Sequence, residues 1–407
     1  MSRAGGGPLV FLTAGEPSGD NLGGRIMAAL KAKTDGRVRF AGVGGDSMRA
    51  QGLDSLFPMA ELSIFGIAEI LPHIPNAFRR IYQTAWSIRR LRPDAVLTID
   101  SPAFSFGVAR RVRGRGMPLI HLNAPKVWAY RPGRVKRVAR YYDHLLALLP
   151  FEPPYFEAVG LACSFIGHPV VESGADKGDG AAFRGRHGIP DDAPLLCVLP
   201  GSRKIEIKHL LGIFGETVEL LAAELPRLQV VVPAASAVSG RVSQAAGRWS
   251  VPTRVVLGEA DKFDAFAAAD IALAASGTVS LELAIAGVPM IIAYRASAIT
   301  AAVVRRLARV RFASIVNLIH DRAVVPELMQ ESCRPQPLAA AVAALYRDPA
   351  ARRAQVEDCR QAVRMLGLGG RRPSEHAAQI ILDIIARRDR GNDVRKPRKA
   401  VSMGLYH

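Results

Sequence analysis

Four cysteines are spread through 407 residues. Cys163, Cys197, Cys333 and Cys359 form no CxxC pair, and no histidine joins them at metal-ligand spacing. That scarcity argues against a disulfide framework or a cysteine-based metal site and predicts reduced thiols in a cytoplasmic protein. No apolar stretch reaches the length of a membrane span. The run Leu9 to Ala14 is too short for the core of a secretory signal and leads into Gly15-Glu16, not a cleavage site. The first loop misses the G-x-G-x-x-G spacing of a dinucleotide fingerprint, and the second half has no D-x-D pattern to hold a metal. Acid is also short: 36 Asp and Glu face 54 Lys and Arg, a formal net charge of +18. A soluble chain this basic expects an anionic partner, whether nucleic acid, a phospholipid surface or a phosphorylated substrate. The lack of a basic strand interleaved with aromatics disfavours nucleic acid.

The length predicts two or three domains, and a hydrophobic fraction of 49% is ample to bury them. Leu9 to Thr13 reads as a strand, A-G-E-P-S-G-D as a loop, Asn21 to Lys33 as a helix and Arg37 to Val43 as a second strand. A strand, a small-residue loop and a helix open a doubly wound α/β sheet. Ala95 to Ile99 is a buried-type strand that delivers Asp100 at its carboxyl end, where open α/β sheets place their chemistry. The plain alternative is that Asp100 caps the next turn. Leu119 to Leu122, Leu145 to Leu149 and Cys163 to Ile166 complete the first half, with Trp128, Tyr130 and Arg131 on a loop among them. Between Phe57 and Arg90, apolar Phe57, Met59, Leu62, Ile64, Phe65, Ile67, Ile70 and Leu71 precede basic Arg79, Arg80, Arg89 and Arg90. Such a surface suits an anionic leaflet, although the same residues can fill a core with a solvated basic face.

Gly167-His168-Pro169 reads as a hinge, with His168 as a turn residue. The second half repeats the logic of the first. Strands are expected at Leu195 to Leu199, Gln229 to Pro233, Arg254 to Leu257 and Ile271 to Ala275, with helices at Lys208 to Glu224 and around Phe263 to Ala268. The stretch Ala272 to Arg295 is its most informative unit. Ser276, Gly277 and Thr278 make a small turn with capping hydroxyls, Val279 to Ala286 a helix, and Gly287 and Pro289 its stop. The positive end of that helix favours a phosphate or diphosphate. Gly201, Ser202 and Arg203 supply a second strand-to-helix turn, and the two would cradle a diphosphate from both sides. Glu282 is placed to accept hydrogen bonds from a ribose, and the amides of Asn317 and Gln330 suit the donor and acceptor pattern of uracil. An ordinary βαβ element with a solvated glutamate is the bland alternative. Helices are expected from Leu338 to Arg364 and Ser374 to Arg388, and the tail from Arg387 to Lys399 carries seven basic residues against two acidic.

The motifs A-G-E-P-S-G-D, G-V-G-G, I-D-S-P, V-W-A-Y-R-P-G-R, L-P-F-E, G-H-P, L-P-G-S-R-x-x-E-I, S-G-T-x-S-L-E-x-A-x-x-G-V-P-M and V-V-P-E-L-x-Q occur in one order. In that order the chain resembles the lipid-A-disaccharide synthases. The resemblance implies a GT-B type fold, two Rossmann-like doubly wound domains facing a cleft, with no metal or other cofactor required. It implies transfer of a sugar from UDP-2,3-diacylglucosamine to 2,3-diacylglucosamine 1-phosphate on the cytoplasmic face of the inner membrane. Asp100 is then the candidate base, Arg203 the cation that meets the leaving UDP, and Glu16, Ser18 and Asp20 acceptor-side residues. The implied organisation is an acceptor and membrane-facing domain over 1–168, a UDP-sugar domain over 169–345, C-terminal helices over 346–388 and a basic tail over 389–407. Those helices would fold back or cross between protomers of a homodimer, with Ile380, Ile381, Ile384 and Ile385 suited to either burial. Where the family has D-A-P-D-F-N this chain has D-S-P-A-F-S, so Ala103 and Ser105 replace an acid and an amide, and Pro17 stands where Ala is usual. Another UDP-N-acetylglucosamine transferase or a 2-epimerase would share the second domain, and the first-half loops argue against both. A basic nucleic-acid binder is the rival from another class, marked by salt-sensitive gel retardation.

Overall fold

The computed structural model describes residues 7–62, 74–125, 133–297 and 311–391. Trp128, Tyr130 and Arg131, the apolar Ile64, Phe65, Ile67, Ile70 and Leu71, and the tail beyond 391 lie outside the described residues. The chain divides into two compact units, Met1–Pro169 with Gly370–His407, and Val170–Gly369.

The first unit is built on strands β1 (Leu9–Ala14), β2 (Arg39–Val43), β3 (Ala95–Ile99), β4 (Leu119–Leu122), β5 (His144–Ala147) and β6 (Ala162–Phe165). Their order across the sheet is β2-β1-β3-β4-β5-β6, all parallel. The second unit carries β7 (Leu195–Leu199), β8 (Gln229–Pro233), β9 (Thr253–Val256), β10 (Ile271–Ala275), β11 (Met290–Tyr294) and β12 (Glu327–Met329) in the order β12-β11-β10-β7-β8-β9, again parallel. Central strands such as V-L-T-I and I-A-L-A-A are buried along their whole length because helices cover both faces of each sheet. Strand order reverses between β1 and β3 in one sheet and between β7 and β10 in the other. Those two crevices, at the carboxyl ends of the strands, are where doubly wound sheets receive ligands.

Several helices start earlier than the sequence pattern predicts, and proline is the reason. Read as a breaker, Pro17 pushes the expected start to Asn21; in the structure it opens the helix Pro17–Lys33. Proline at the first helical position costs nothing, because that N–H has no intrahelical partner anyway. Likewise, the expected span Leu338 to Arg364 is two helices, Pro335–Arg347 and Pro349–Met365. They part at Asp348, whose carboxylate accepts from the N–H groups of Ala350 and Ala351 at 2.9 Å. The last helix, Pro373–Asp389, packs on Pro17–Lys33, burying Ile381, Ile384 and Ile385 beside Ile26 and Leu30. Among the described residues no helix is long and apolar enough to cross a membrane, and all four cysteines are free and buried.

Candidate functional site

At the β1–β3 crevice the two loops touch. A Cβ on Gly15 would lie 2.2 Å from Ser101 Oγ, so only glycine allows that approach. Asp100 and Ser101 leave β3 with φ of 50° and 43°, a left-handed bend that non-glycine residues adopt only when their surroundings impose it. The imposing bonds are Asp100 N–H to Leu122 O at 3.2 Å and Ser105 Oγ to Asp100 O at 2.7 Å. Ser105, one of the family departures, thus secures the backbone of the candidate base. The carboxylate is largely buried, with Oδ1 accepting from the Asn123 side-chain amide. Burial pushes the Asp100 carboxyl above its ordinary range, the charge of Glu16 adds to that, and the Asn123 bond opposes it. Beneath it, Thr98 Oγ1 meets His121 Nδ1 at 2.8 Å and donates to Tyr142 Oη at 3.1 Å. Burial lowers His121 to about 4, so this layer stays neutral near pH 7.

Of the acceptor-side candidates, Glu16 is half-buried and Ser18 exposed, but Asp20 is already committed. Its carboxylate accepts from the N–H groups of Gly45, Ser47 and Met48 at 2.7, 2.9 and 3.1 Å and so anchors the loop after β2. Glu16 instead lines a cavity of about 1080 Å³ together with Ser101 and Ala103. Its walls are apolar at Leu62, Phe78, Ile81, Phe104 and Phe106 and cationic at Arg110, Arg111, Lys136, Arg137 and Arg140. The last three share the helix Arg134–Tyr141, and the R-V-K-R-V-A-R spacing was the signal that could have found them.

In the second unit, β7 and β10 are neighbours, so the turns that follow them lie side by side at one sheet edge. Gly201 has φ 111°, and a Cβ there would lie 2.4 Å from Glu206 Oε2, so this turn also needs glycine. Glu206 Oε2 accepts from the N–H groups of Ser202 and Arg203 at 2.9 and 3.1 Å. Those backbone donors are therefore occupied, and the turn offers an anion the Arg203 guanidinium, 67% exposed and 3.7 Å from Glu206. Across from it, the Ser276 turn departs from expectation in detail. Thr278 already has helical backbone (φ −60°, ψ −27°), so its hydroxyl makes no cap, and Ser280 Oγ donates to Gly277 O at 2.8 Å. Gly277 and Thr278 are exposed at the start of the helix Val279–Ala286.

Glu282, one turn into that helix, holds Lys262 Nζ with both oxygens at 3.1 Å. Twenty residues separate the pair, and no sequence pattern links them. Asn317 is engaged by its own neighbours. It is fully buried, its Nδ2 donating to Val325 O and Glu327 Oε1 at 2.8 Å, its Oδ1 accepting from Val324 and Val325 N–H at 2.9 and 2.8 Å. With every hydrogen-bonding position filled, its amide staples the chain before β12 and has nothing left for a base. Gln330, at the end of β12, accepts from Ala296 N–H at 3.3 Å. Among the described residues no cluster of three or more His, Cys, Asp or Glu is arranged to hold a metal.

The family model described as lipid-A-disaccharide synthetase matches residues 10–381. The chain is 56% identical over 382 residues to the lipid-A-disaccharide synthase of Rhodospirillum centenum, covering 93% of this chain and 95% of the relative. It is 52% identical to that of Paramagnetospirillum magneticum, covering 93% and 97%. Solved structures share the fold at low identity. A UDP-GlcNAc 2-epimerase from Neisseria meningitidis bound to UDP-GlcNAc aligns with TM-score 0.58 at 13% identity, covering 93% of this chain and 99% of that one. MurG of Acinetobacter baumannii aligns with TM-score 0.56 at 14% identity, covering 92% and 99%.

Proposed function

The chain belongs to the lipid-A-disaccharide synthase family, and from that premise we propose how its two crevices divide the reaction. The enzyme is a glycosyltransferase that moves 2,3-diacylglucosamine from UDP-2,3-diacylglucosamine to 2,3-diacylglucosamine 1-phosphate. The acceptor 6-hydroxyl attacks the anomeric carbon, its bond to the UDP oxygen breaks, and the products are the β-1,6-linked disaccharide and UDP. Asp100 takes the hydroxyl proton, and the electron pair leaves on the UDP β-phosphate, where Arg203 and the Gly277-Thr278 turn meet it. Gly201 and Ser202 shape the turn that carries Arg203, while Glu282 with its Lys262 partner and Gln330 line the donor's side.

The cavity beside Ser101 and Glu16 carries this reading. It combines apolar walls with five cations, the chemistry of a diacylated sugar phosphate, next to the carboxylate proposed as base. Replacing Arg137 and Arg140 together by Ala is expected to raise the acceptor KM about 10- to 100-fold, one lost charged contact being worth about 1.5–3 kcal/mol, with the donor KM unchanged. A donor KM that rises equally, or an acceptor KM that stays put, would place the phosphate elsewhere.

We also propose that the enzyme works at the anionic cytoplasmic face of the inner membrane. Phe78, Tyr82 and Trp86 stand 51%, 60% and 57% exposed at four-residue intervals on the helix Ile74–Leu91. Arg90 stacks on Trp86 at 5.3 Å and Arg111 on Tyr82 at 4.1 Å. An aromatic ridge clad in guanidinium suits an anionic headgroup layer. Arg80, expected on the same edge, instead turns inward to Glu61, its Nε donating to Oε2 at 2.8 Å. Changing the three aromatics to Ser is expected to lower co-sedimentation with phosphatidylglycerol vesicles several-fold; undiminished pelleting would remove the ridge from the membrane contact. A homodimer through the C-terminal helices is proposed alongside, and light scattering at the monomer mass would dismiss it.

A further inference from the structure

We infer that Asn123 is the positioning residue of the transfer: its side-chain amide holds one oxygen of the Asp100 carboxylate and so fixes the direction in which the other is presented. The inference rests on the reading of Asp100 as base and adds to it a residue that no sequence motif above includes. Asn123 follows β4 as Asp100 follows β3, and the two strands run in register with Ile99 beside Leu122. The two side chains therefore emerge as neighbours from the same sheet edge. Asn123 Nδ2 donates to Asp100 Oδ1. The second oxygen, Oδ2, faces the first turn of the helix Pro17–Lys33, 3.6 Å from where a Cβ on Gly19 would stand.

Backbone geometry makes this contact more than incidental. Asn123 has φ 74° beside Asp100 at 50°, so both partners sit in the left-handed region. Such a conformation is unfavourable for a side-chain-bearing residue and persists where its neighbours over-determine it. Asn123 N–H is pinned to Leu146 O at 3.1 Å and Asp100 N–H to Leu122 O at 3.2 Å, so the strain is held in place from behind. Asparagine tolerates this conformation and carries a donor of the right length, a combination that glycine and aspartate each satisfy only by half.

The ionisable groups facing Asp100 among the described residues come from three directions. Glu16 approaches from the loop after β1, while His121 from β4 and Tyr142 before β5 stand behind Thr98. Asp20, in the facing helix, is tied to three backbone N–H groups. Of these, Glu16 opposes ionisation of Asp100 through its charge, and the Asn123 amide favours it.

Two variants separate orientation from folding. Asn123→Gly keeps the left-handed backbone and deletes the amide; Asn123→Asp keeps the shape and replaces the donor by an acceptor. Both are expected to lower kcat by about 10- to 100-fold, the range for a misplaced reacting group, with either KM changed less than about twofold, as expected when ground-state binding is untouched. The acid limb of the kcat–pH profile is expected to move to higher pH, further for Asn123→Asp. A wild-type kcat and profile in Asn123→Gly overturns the inference, and so does a fall in kcat with a stationary acid limb, which marks a purely structural role. Asp100→Asn is measured alongside. If that variant is inactive while Asn123→Gly is fully active, this inference alone fails; if Asp100→Asn is itself fully active, the base assignment fails and the inference goes with it.

Discussion

Asp100→Asn is expected to reduce kcat by about 10²- to 10⁴-fold, the contribution typical of a positioned general base, while the affinity for the UDP sugar stays at its wild-type value. The substitution is close to isosteric, and an Asn oxygen can still accept from the Asn123 amide, so the strained bend at the end of β3 keeps its support. Only the capacity to take a proton is lost. Stability should move the other way. The Asp100 carboxyl is raised in the folded protein, first by burial and then by the Glu16 charge. Well below the carboxylate range it is protonated whether the chain is folded or not and affects nothing. As pH climbs from the ordinary aspartate value to the raised one, the unfolded chain ionises first, and the folded state progressively bears the cost of a buried charge. That cost is complete above the raised pKa. At neutral pH the melting temperature of Asp100→Asn should therefore equal or exceed that of the wild type, and the two should converge in acid. Inactivity together with undiminished stability identifies a chemical role. Full turnover would hand the proton to another group.

Arg203→Ala should slow turnover nearly as much, with about 2–4 kcal/mol added to the barrier if its guanidinium meets the charge that develops on departing UDP. Its surroundings fit that task. Glu206 occupies the turn's backbone donors, which leaves the exposed guanidinium as the strongest donor that this turn presents. A fixed, forked cation is suited to two phosphate oxygens at once. Arg203→Lys is accordingly expected to recover only part of the lost rate, because an ammonium restores charge without the fork. Thermal stability should hardly respond, since the Arg203 side chain is exposed and stands 3.7 Å from Glu206, and ion pairs open to solvent contribute about 0–1 kcal/mol. An unchanged rate in Arg203→Ala would assign the leaving group to another cation.

Much of this architecture could be read directly. Strands buried on both faces appear in sequence as unbroken apolar runs, so V-L-T-I and I-A-L-A-A are legible as central strands, and the acid after the first of these falls at a strand's carboxyl end. Proline misled at Pro17, because the same residue stops a helix from within and starts one from its first position, and Pro349, inside the expected span, opens a second helix there. The polar site residues were harder for a different reason. Whether an amide or carboxylate is available depends on what already occupies it. Asp20 spends its oxygens on the loop after β2 and Asn317 fills all its positions with the chain around 325, and neither debt is visible in composition or spacing. Conversely, Asn123 and Lys262 acquire meaning only from partners 23 and 20 residues away, brought together by adjacent strands and helices.

The return of the helix Pro373–Asp389 to the first unit makes the second unit an insertion, entered after Pro169 and left before Gly370. On the ribosome the helix Pro17–Lys33 therefore emerges long before the partner that covers it. At about 5–20 residues per second the wait is roughly 20–70 s. Ile26 and Leu30, fully buried in the finished molecule, belong to a core cluster that also includes Ala377, Ile381 and Ile385 of that late helix. A chain cut short before the final helix would lack the element that packs on Pro17–Lys33 in the first unit.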